Sequence, residues 1–277
     1  MSKLTPEDVV LRYSKRGMNI LKKYLKDGYC RTAAEKLLHA ERGTVLLTTG
    51  FYVAGYAETD GPLGTVAVAE ALNHLGFHSV VVTDKYCKGF FELKQLDVEY
   101  VDIAADEQVY EDILDKYNPV YMISIERCGE NAEHEYANMR GVSITSETAA
   151  IDHLFELAPE KHIPTIGVGD GGNEIGMGNV KDIISEKLEL NPCVVPVDDL
   201  IIATTSNWGA YALTAWLQKL SGEEVLFTFA EAEPYLAATL EIGSVDGVLK
   251  EKKMGVDGFD MTVEKEILDS LRSEERR

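Results

Sequence analysis

Residues 44–84, TVLLTTGFYVAGYAETDGPLGTVAVAEALNHLGFHSVVVTD, read as one strand–loop–helix–strand unit. Val45-Leu46-Leu47 is a short apolar run, the pattern of a strand buried on both faces. Gly50 to Gly61 forms a loop. Pro62 suits the first turn of a helix, where a missing N–H breaks no hydrogen bond. Val66, Ala69, Leu72 and Leu75 then recur at helical spacing. Ser79-Val80-Val81-Val82 is the next strand, ending at Thr83-Asp84.

The same alternation continues downstream. The pattern predicts helices over 90–96, 110–117, 149–157, 180–188 and 207–220, and strands over 98–103, 120–125, 165–168 and 200–203. Alternating strands and helices with short loops predict an α/β fold: a doubly wound, mostly parallel, Rossmann-like sheet. Upstream, the first forty residues read as helical. Thr5 caps a helix with Pro6 at its first position, Gly17 is a point where it can break, and a second helix spans 32–40. The expected organisation is a single domain over 1–277, with a helical N-terminal arm (1–43) and a core (44–272). Residues 273–277 are expected to fray.

The chain has 277 residues and a net charge of −20. That charge argues against DNA, RNA and anionic membrane surfaces, whose binding needs Lys and Arg. No stretch approaches the ~20 apolar residues of a membrane helix. Met1 to Arg16 lacks the apolar core of a signal peptide, so a cytoplasmic location is expected. The four cysteines, Cys30, Cys87, Cys128 and Cys193, form no CxxC pair and are expected as free thiols. The six histidines show no metal-binding spacing.

Four segments carry more Gly and polar residues than a connection requires: 48–62, 124–138, 167–179 and 204–209. In a doubly wound sheet, such loops after strands line the ligand crevice. Gly167-x-Gly169-x-x-Gly172 matches the dinucleotide fingerprint only weakly. Gly167 falls inside the strand, and Asp170 would face the pyrophosphate. NAD and ATP are therefore expected to bind poorly, and no Walker motif follows. Asp170 and Glu174 instead offer carboxylates for proton transfer or for a hard divalent cation, Mg or Mn. Asn173 adds an amide, or the segment is a turn that caps the next helix. Arg127 offers a planar fork for a carboxylate, with Glu126 beside it; a structural Glu–Arg pair is the other reading. Gly50, Thr59 and Asp60 lie in the first loop, where the N-terminus of the following helix suits an anion. Ser206 and Asn207 in the fourth are helix caps or ligand contacts.

These stretches resemble the D-glutamate cyclase C-terminal-domain family. The carriers are TGFYVAGYAETDGPLG (49–64), SIERCGENAEHEYANMRG (124–141), GVGDGGNEIGMGNV (167–180) and SNWGAYAL (206–213). The resemblance runs from about Leu46 towards the C-terminus. It implies a lyase that cyclises D-glutamate to 5-oxo-D-proline with loss of water. In that reaction the α-amine attacks its own γ-carboxylate.

A carboxylate base must accept the amine proton, and a donor or cation must polarise the γ-carboxylate. The expected roles follow. Arg127 clamps the α-carboxylate. Glu126 or Asp170 accepts the amine proton. Backbone N–H groups near Gly171 and Gly172, with Asn173, meet the oxyanion. Glu174 serves as acid or, with Asp170, as metal ligand. The partner is a small amino acid, and homo-oligomerisation is open. The alternatives are a binding module for a nucleotide or amino acid without turnover, and a sibling enzyme on another amino acid or lactam.

Overall fold

The computed structural model describes residues 4–275. In chain order the strands are β1 (Thr44–Thr49), a hairpin of β2 (Tyr52–Val53) and β3 (Tyr56–Ala57), β4 (His78–Thr83), β5 (Asp97–Tyr100), β6 (Tyr121–Ile125), β7 (Thr165–Gly169), β8 (Asp199–Ile202), and a hairpin of β9 (Gly255–Val256) and β10 (Phe259–Asp260). The helices are α1 (Pro6–Val10), α2 (Met18–Leu21), α3 (Tyr29–His39), α4 (Pro62–His74), α5 (Gln108–Tyr117), α6 (His153–Lys161), α7 (Lys181–Leu188), α8 (Ser206–Ser221), α9 (Phe229–Ile242) and α10 (Met261–Glu275).

Six strands form one parallel sheet in the order β5-β4-β1-β6-β7-β8. β4, β6 and β7 show almost no exposed side chains, as expected of strands covered on both faces. The order reverses between β1 and β6. Right-handed crossovers on the two sides of that reversal place their helices on opposite faces. α3 and α4 accordingly pack on α8, while α5 packs on α6. The carboxyl ends of β1 and β6 flank the reversal, where such sheets bind ligands.

α8 is the helix at the centre of its layer, buried from Ser206 to Leu217. α4 lies close against it because position 64 is Gly. A Cβ there would sit 2.8 Å from the Ala210 Cβ and 2.9 Å from the Asn207 Cα. This contact sets the spacing between the starts of the two helices, and both starts belong to the site.

The N-terminal residues depart from the expected arm. Thr5 caps α1 through a capping box with Asp8, as its position suggests, but the helix ends at Val10. Gly17 takes φ +85° and starts the short α2. The segment is built into the body. The Thr204 N–H donates to the Val10 carbonyl at 2.9 Å. The Tyr13 ring lies 6.2 Å from Trp208 and 6.0 Å from Phe259, with Trp208 and Phe259 5.1 Å apart. At the other end, α10 continues to Glu275, so 273–275 are helical. Arg276 and Arg277 lie outside the described residues.

Candidate active site

The loops after β1, β6 and β7 bring Asp60, Glu126 and Asp170 together. One carboxylate oxygen of each lies within 4.8 Å of the others, and all three residues are buried. Glu126 is held in the left-handed region at φ +49°. That conformation costs a non-glycine residue roughly 1–2 kcal/mol, and such strain concentrates at functional positions. The N-terminus of α4 crosses directly over it. Gly61, at φ +96°, permits this approach, since a Cβ there would meet the Glu126 Cβ at 2.9 Å and Thr49 Oγ1 at 2.6 Å.

The start of α8 holds two of these acids. Asp60 Oδ2 accepts from the Ser206 N–H at 2.8 Å, and Oδ1 from the Asn207 N–H at 2.7 Å. Ser206 Oγ donates to Glu126 Oε2 at 2.5 Å. Asn207 Oδ1 accepts from the N–H groups of Gly61 (2.9 Å) and Gly64 (2.7 Å), and its amide donates to the Thr59 carbonyl at 3.0 Å. Asn207 is thus a cap with every polar side-chain atom engaged. Thr59 is buried beside it, with Oγ1 unpaired.

The Gly-rich loop after β7 corrects one expected pairing. Glu174 does not face Asp170 across a metal position. Its two oxygens accept from the Gly171 and Gly172 N–H groups, both at 2.7 Å. Those two N–H groups are therefore engaged by the loop's own carboxylate, where oxyanion donors were expected. Asn173 differs. Its amide donates to the Ala137 carbonyl at 2.8 Å, while Oδ1 has no protein partner although the residue is only 7% exposed.

Arg127 departs from the expected substrate clamp. It is 0% exposed. Nη1 donates to the Gly50 carbonyl at 2.8 Å and to Asp84 at 2.6 Å, and Nη2 donates to the Ala149 carbonyl at 2.7 Å. The two terminal nitrogens tie three loops together, with Gly50 as one anchor, and the buried Nε has no protein partner.

A different arginine reaches the carboxylates. Arg16, between α1 and α2, donates through Nη1 to both oxygens of Asp170 at 2.7 Å and stands 2.7 Å from Asp257. Its side chain is 25% exposed and lines a cavity of about 390 Å³ with Glu58, Glu126, Asn173, Arg140 and Lys250. Arg16, Glu58 and Asp257 were not singled out from the sequence. A hollow of about 770 Å³ lies at the opposite, amino ends of β6, β7 and β8, beside Tyr121, Thr165 and Asp199, and holds none of the clustered acids.

Charge in the cluster is uneven. Burial, and then Asp170, Glu174, Asp60 and Glu58, hold the Glu126 carboxyl well above the usual range. Burial also raises Asp170, but Arg16 opposes that rise most directly. Asp60 is pushed up to about 8 by burial and Asp257, against the pull of the Asn207 and Ser206 N–H groups. Burial raises Glu58 and Glu174 as well. The Asp170 carboxyl still stays well above the usual range; what separates the two acids is that Asp170 pairs with the Arg16 guanidinium, whereas Glu126 meets the neutral hydroxyl of Ser206. Burial pushes the Cys128 thiol up, which disfavours the thiolate a nucleophile needs.

Asp60, Glu126 and Asp170 are also the side chains, among the described residues, grouped closely enough to hold a metal ion. Hard carboxylate oxygens suit Mg or Mn. Both Asp170 oxygens already face Arg16, so a bound cation would share or displace that guanidinium. No helix among the described residues is long and apolar enough to cross a membrane.

A family model described as D-glutamate cyclase-like, C-terminal, matches residues 7–272. The match starts well before Leu46 and takes in Arg16, so the N-terminal helices fall within the shared region. Human mitochondrial D-glutamate cyclase is 32% identical over 259 residues, covering 80% of this chain and 40% of that protein. The chain thus matches less than half the length of that relative. Among solved structures, UDP-glucose 4-epimerase from Brucella ovis in complex with NAD is 16% identical. It covers 53% of this chain and 49% of its own, with a TM-score of 0.31, too slight a likeness to bear on the site.

Proposed function

Because the chain belongs to the D-glutamate cyclase-like, C-terminal family, we propose that it converts D-glutamate to 5-oxo-D-proline and water. The atoms balance without any external proton. The ammonium nitrogen loses two protons as it bonds to the γ-carbon, and the same two protons leave with a γ-carboxylate oxygen as water. Such a relay needs one ionised and one protonated acid side by side. Asp170 beside Arg16, and Glu126 under Ser206, supply that asymmetry, and it is the observation that carries the reading. Asp170 accepts the first amine proton. Glu126 protonates the departing oxygen. Folding the substrate inside the cavity supplies the proximity that forms a five-membered ring.

The grouping of Asp60, Glu126 and Asp170 supports a second version, in which Mg or Mn polarises the γ-carboxylate. A cytoplasmic location and a small amino acid as substrate, with no nucleic acid or membrane partner and homo-oligomerisation left open, complete the proposal.

The test is to incubate the purified chain with D- and L-glutamate, with EDTA or with Mg²⁺ or Mn²⁺, and to assay 5-oxoproline. Product from D-glutamate supports the reading. Survival in EDTA supports the proton relay alone, and rescue by metal supports the cation. Binding without product from either enantiomer would leave a ligand-binding module instead.

A further inference from the structure

The geometry points to Arg16 as the residue that reads the α-carboxylate of the substrate, and we infer that Asn173 Oδ1 receives the adjacent ammonium group. The inference rests on the cyclase reading for the identity of the substrate, but not for the recognition chemistry.

Three observations carry it. The first is the unequal use of the guanidinium. All the protein partners of Arg16 among the described residues, Asp170 and Asp257, are reached through Nη1. Nη2 and Nε keep their N–H groups, and the side chain borders the cavity. Two N–H groups on one edge of a planar fork match the two oxygens of a carboxylate. The second is Asn173 Oδ1, a buried acceptor without a protein partner on the same cavity wall. A buried acceptor left unpaired is destabilising, so a ligand donor placed there is favoured. The third is charge. The cavity is lined by Glu58 and Glu126, with Asp170 and Asp257 paired to Arg16 beside it, so an anionic substrate needs a cation there. Arg16 is the cation that reaches among them, whereas Arg140 and Lys250 stand exposed at the rim.

An α-amino acid carries its carboxylate and ammonium on one carbon. Arg16 and Asn173 offer the two complementary partners in one cavity. A carboxylate on the outer edge of Arg16 is held in the cavity that Asn173 also lines. The anchoring of Arg16 suits this task. Tyr13, three residues earlier, packs against Trp208 at the start of α8 and against Phe259. The reading group is therefore fixed to the helix whose Ser206 holds Glu126.

The test uses calorimetric titration of the full chain with D-glutamate and with its α-amide, which keeps the amine and the γ-carboxylate but has no α-carboxylate. The wild type is expected to prefer D-glutamate at least tenfold. Arg16→Lys keeps a positive charge on Asp170 but lacks the fork, so it should fold and lose most of that preference. Arg16→Gln should lose it entirely. Asn173→Asp adds a charge for the ammonium and should bind both ligands at least as tightly as the wild type, whereas Asn173→Leu should weaken both about equally. Equal wild-type affinity for the two ligands would overturn the inference without any variant, as would a folded Arg16→Lys that keeps full preference. Discrimination without 5-oxoproline formation would uphold Arg16 and sink the cyclase reading. Turnover of D-glutamate without discrimination would do the reverse.

Discussion

Asp60 and Asn207 cap each other's helices. Asp60, just before α4, accepts from the first two N–H groups of α8, while Asn207, in the first turn of α8, accepts from Gly61 and Gly64 at the start of α4. The free N–H groups of a helix start need such acceptors, and a carboxylate there also meets the positive end of the helix dipole. Two helix starts that often bind an anionic ligand are here satisfied by the protein itself. The exchange fixes Ser206, and through it Glu126. Ligand recognition accordingly falls to the side chains of the neighbouring loops.

Asn207→Ala should be strongly destabilising. It strands the Gly64 N–H and the Thr59 carbonyl in a buried place, while the Gly61 N–H keeps Asp60 Oδ1, at about 1–3 kcal/mol for each stranded group that finds no water. A loss of about 2–4 kcal/mol in urea unfolding is expected, with a fall in turnover as Ser206 shifts. A variant with unchanged unfolding midpoint would show that the caps are not coupled.

Glu174→Gln should behave as a loop defect. The amide presents an NH₂ group to one of the two N–H donors that the carboxylate satisfied, at Gly171 and Gly172. About 1–3 kcal/mol of stability should go, and activity should fall in step with it. Full stability combined with a hundredfold loss of turnover would instead make Glu174 a proton donor.

Arg127 is expected to matter for folding and not for substrate affinity. Arg127→Met leaves Asp84 buried without its partner, a change that costs roughly 3–5 kcal/mol. Its measurable signature is a large drop in denaturant midpoint. A well-folded Arg127→Lys with a KM raised tenfold or more would restore the clamp expected from its place after β6.

The sheet and its loops were legible because the signals are local. Val45 to Leu47, Val80 to Val82 and the Pro62 helix start each declare themselves within a few residues, and the observed strand ends differ by only a residue or two in most cases. Residues 90–96 and 98–103 were less so. Their apolar residues mark contact with the core, but the first forms only a 3-10 turn over Phe91–Lys94 and the second shortens to Asp97–Tyr100. α9 and α10 carried no motif that drew notice, yet α10 supplies Glu264, which accepts from Trp208 and Tyr211. Within the site, Asp60, Glu126 and Asp170 announced themselves by standing just past strands or before a helix. Arg16 did not. It sits in an irregular turn, and its partners lie more than 150 positions away at Asp170 and Asp257. No periodicity encodes such a contact. The available signal was a basic residue directly before a helix-breaking Gly17. Arg127 misled for a related reason: spacing places it at the right strand end but does not say which groups its fork will find first.

Stability should fall as pH rises, through the buried acids. The Glu126 carboxyl is raised in the fold, so the folded state favours its protonated form. That contribution is complete below the ordinary carboxylate range and is lost as pH climbs through the raised value. Asp60, pushed up to about 8, acts in the same direction. Glu126→Gln stays neutral at every pH. Its melting temperature should therefore decline less than that of the wild type between about pH 5 and about pH 9. Parallel curves would mean that Glu126 ionises in the fold without cost.

The sharpest prediction concerns the division of labour between Glu126 and Asp170. Both are buried, but only Asp170 holds Arg16 with both oxygens, so the two should fail differently. Asp170→Asn removes the base and leaves Arg16 with Asp257. Turnover should fall by roughly a hundredfold or more, the range for a general acid–base group, while D-glutamate affinity stays within a few-fold, because the carboxylate reader remains. Glu126→Gln removes the proton donor. It should slow turnover to a similar extent, and it should also abolish the fall in kcat that the wild type shows as pH rises through the Glu126 carboxyl. The inert amide has no proton left to lose, so the residual rate should be flat there. The experiment is a pH profile of kcat for wild type and both variants, each checked for an unshifted melting curve. If Glu126→Gln retains the alkaline limb while Asp170→Asn loses it, the roles are exchanged and Asp170 is the donor. If both variants retain near-normal kcat, neither acid moves the proton, and the cluster serves a bound cation or the fold alone.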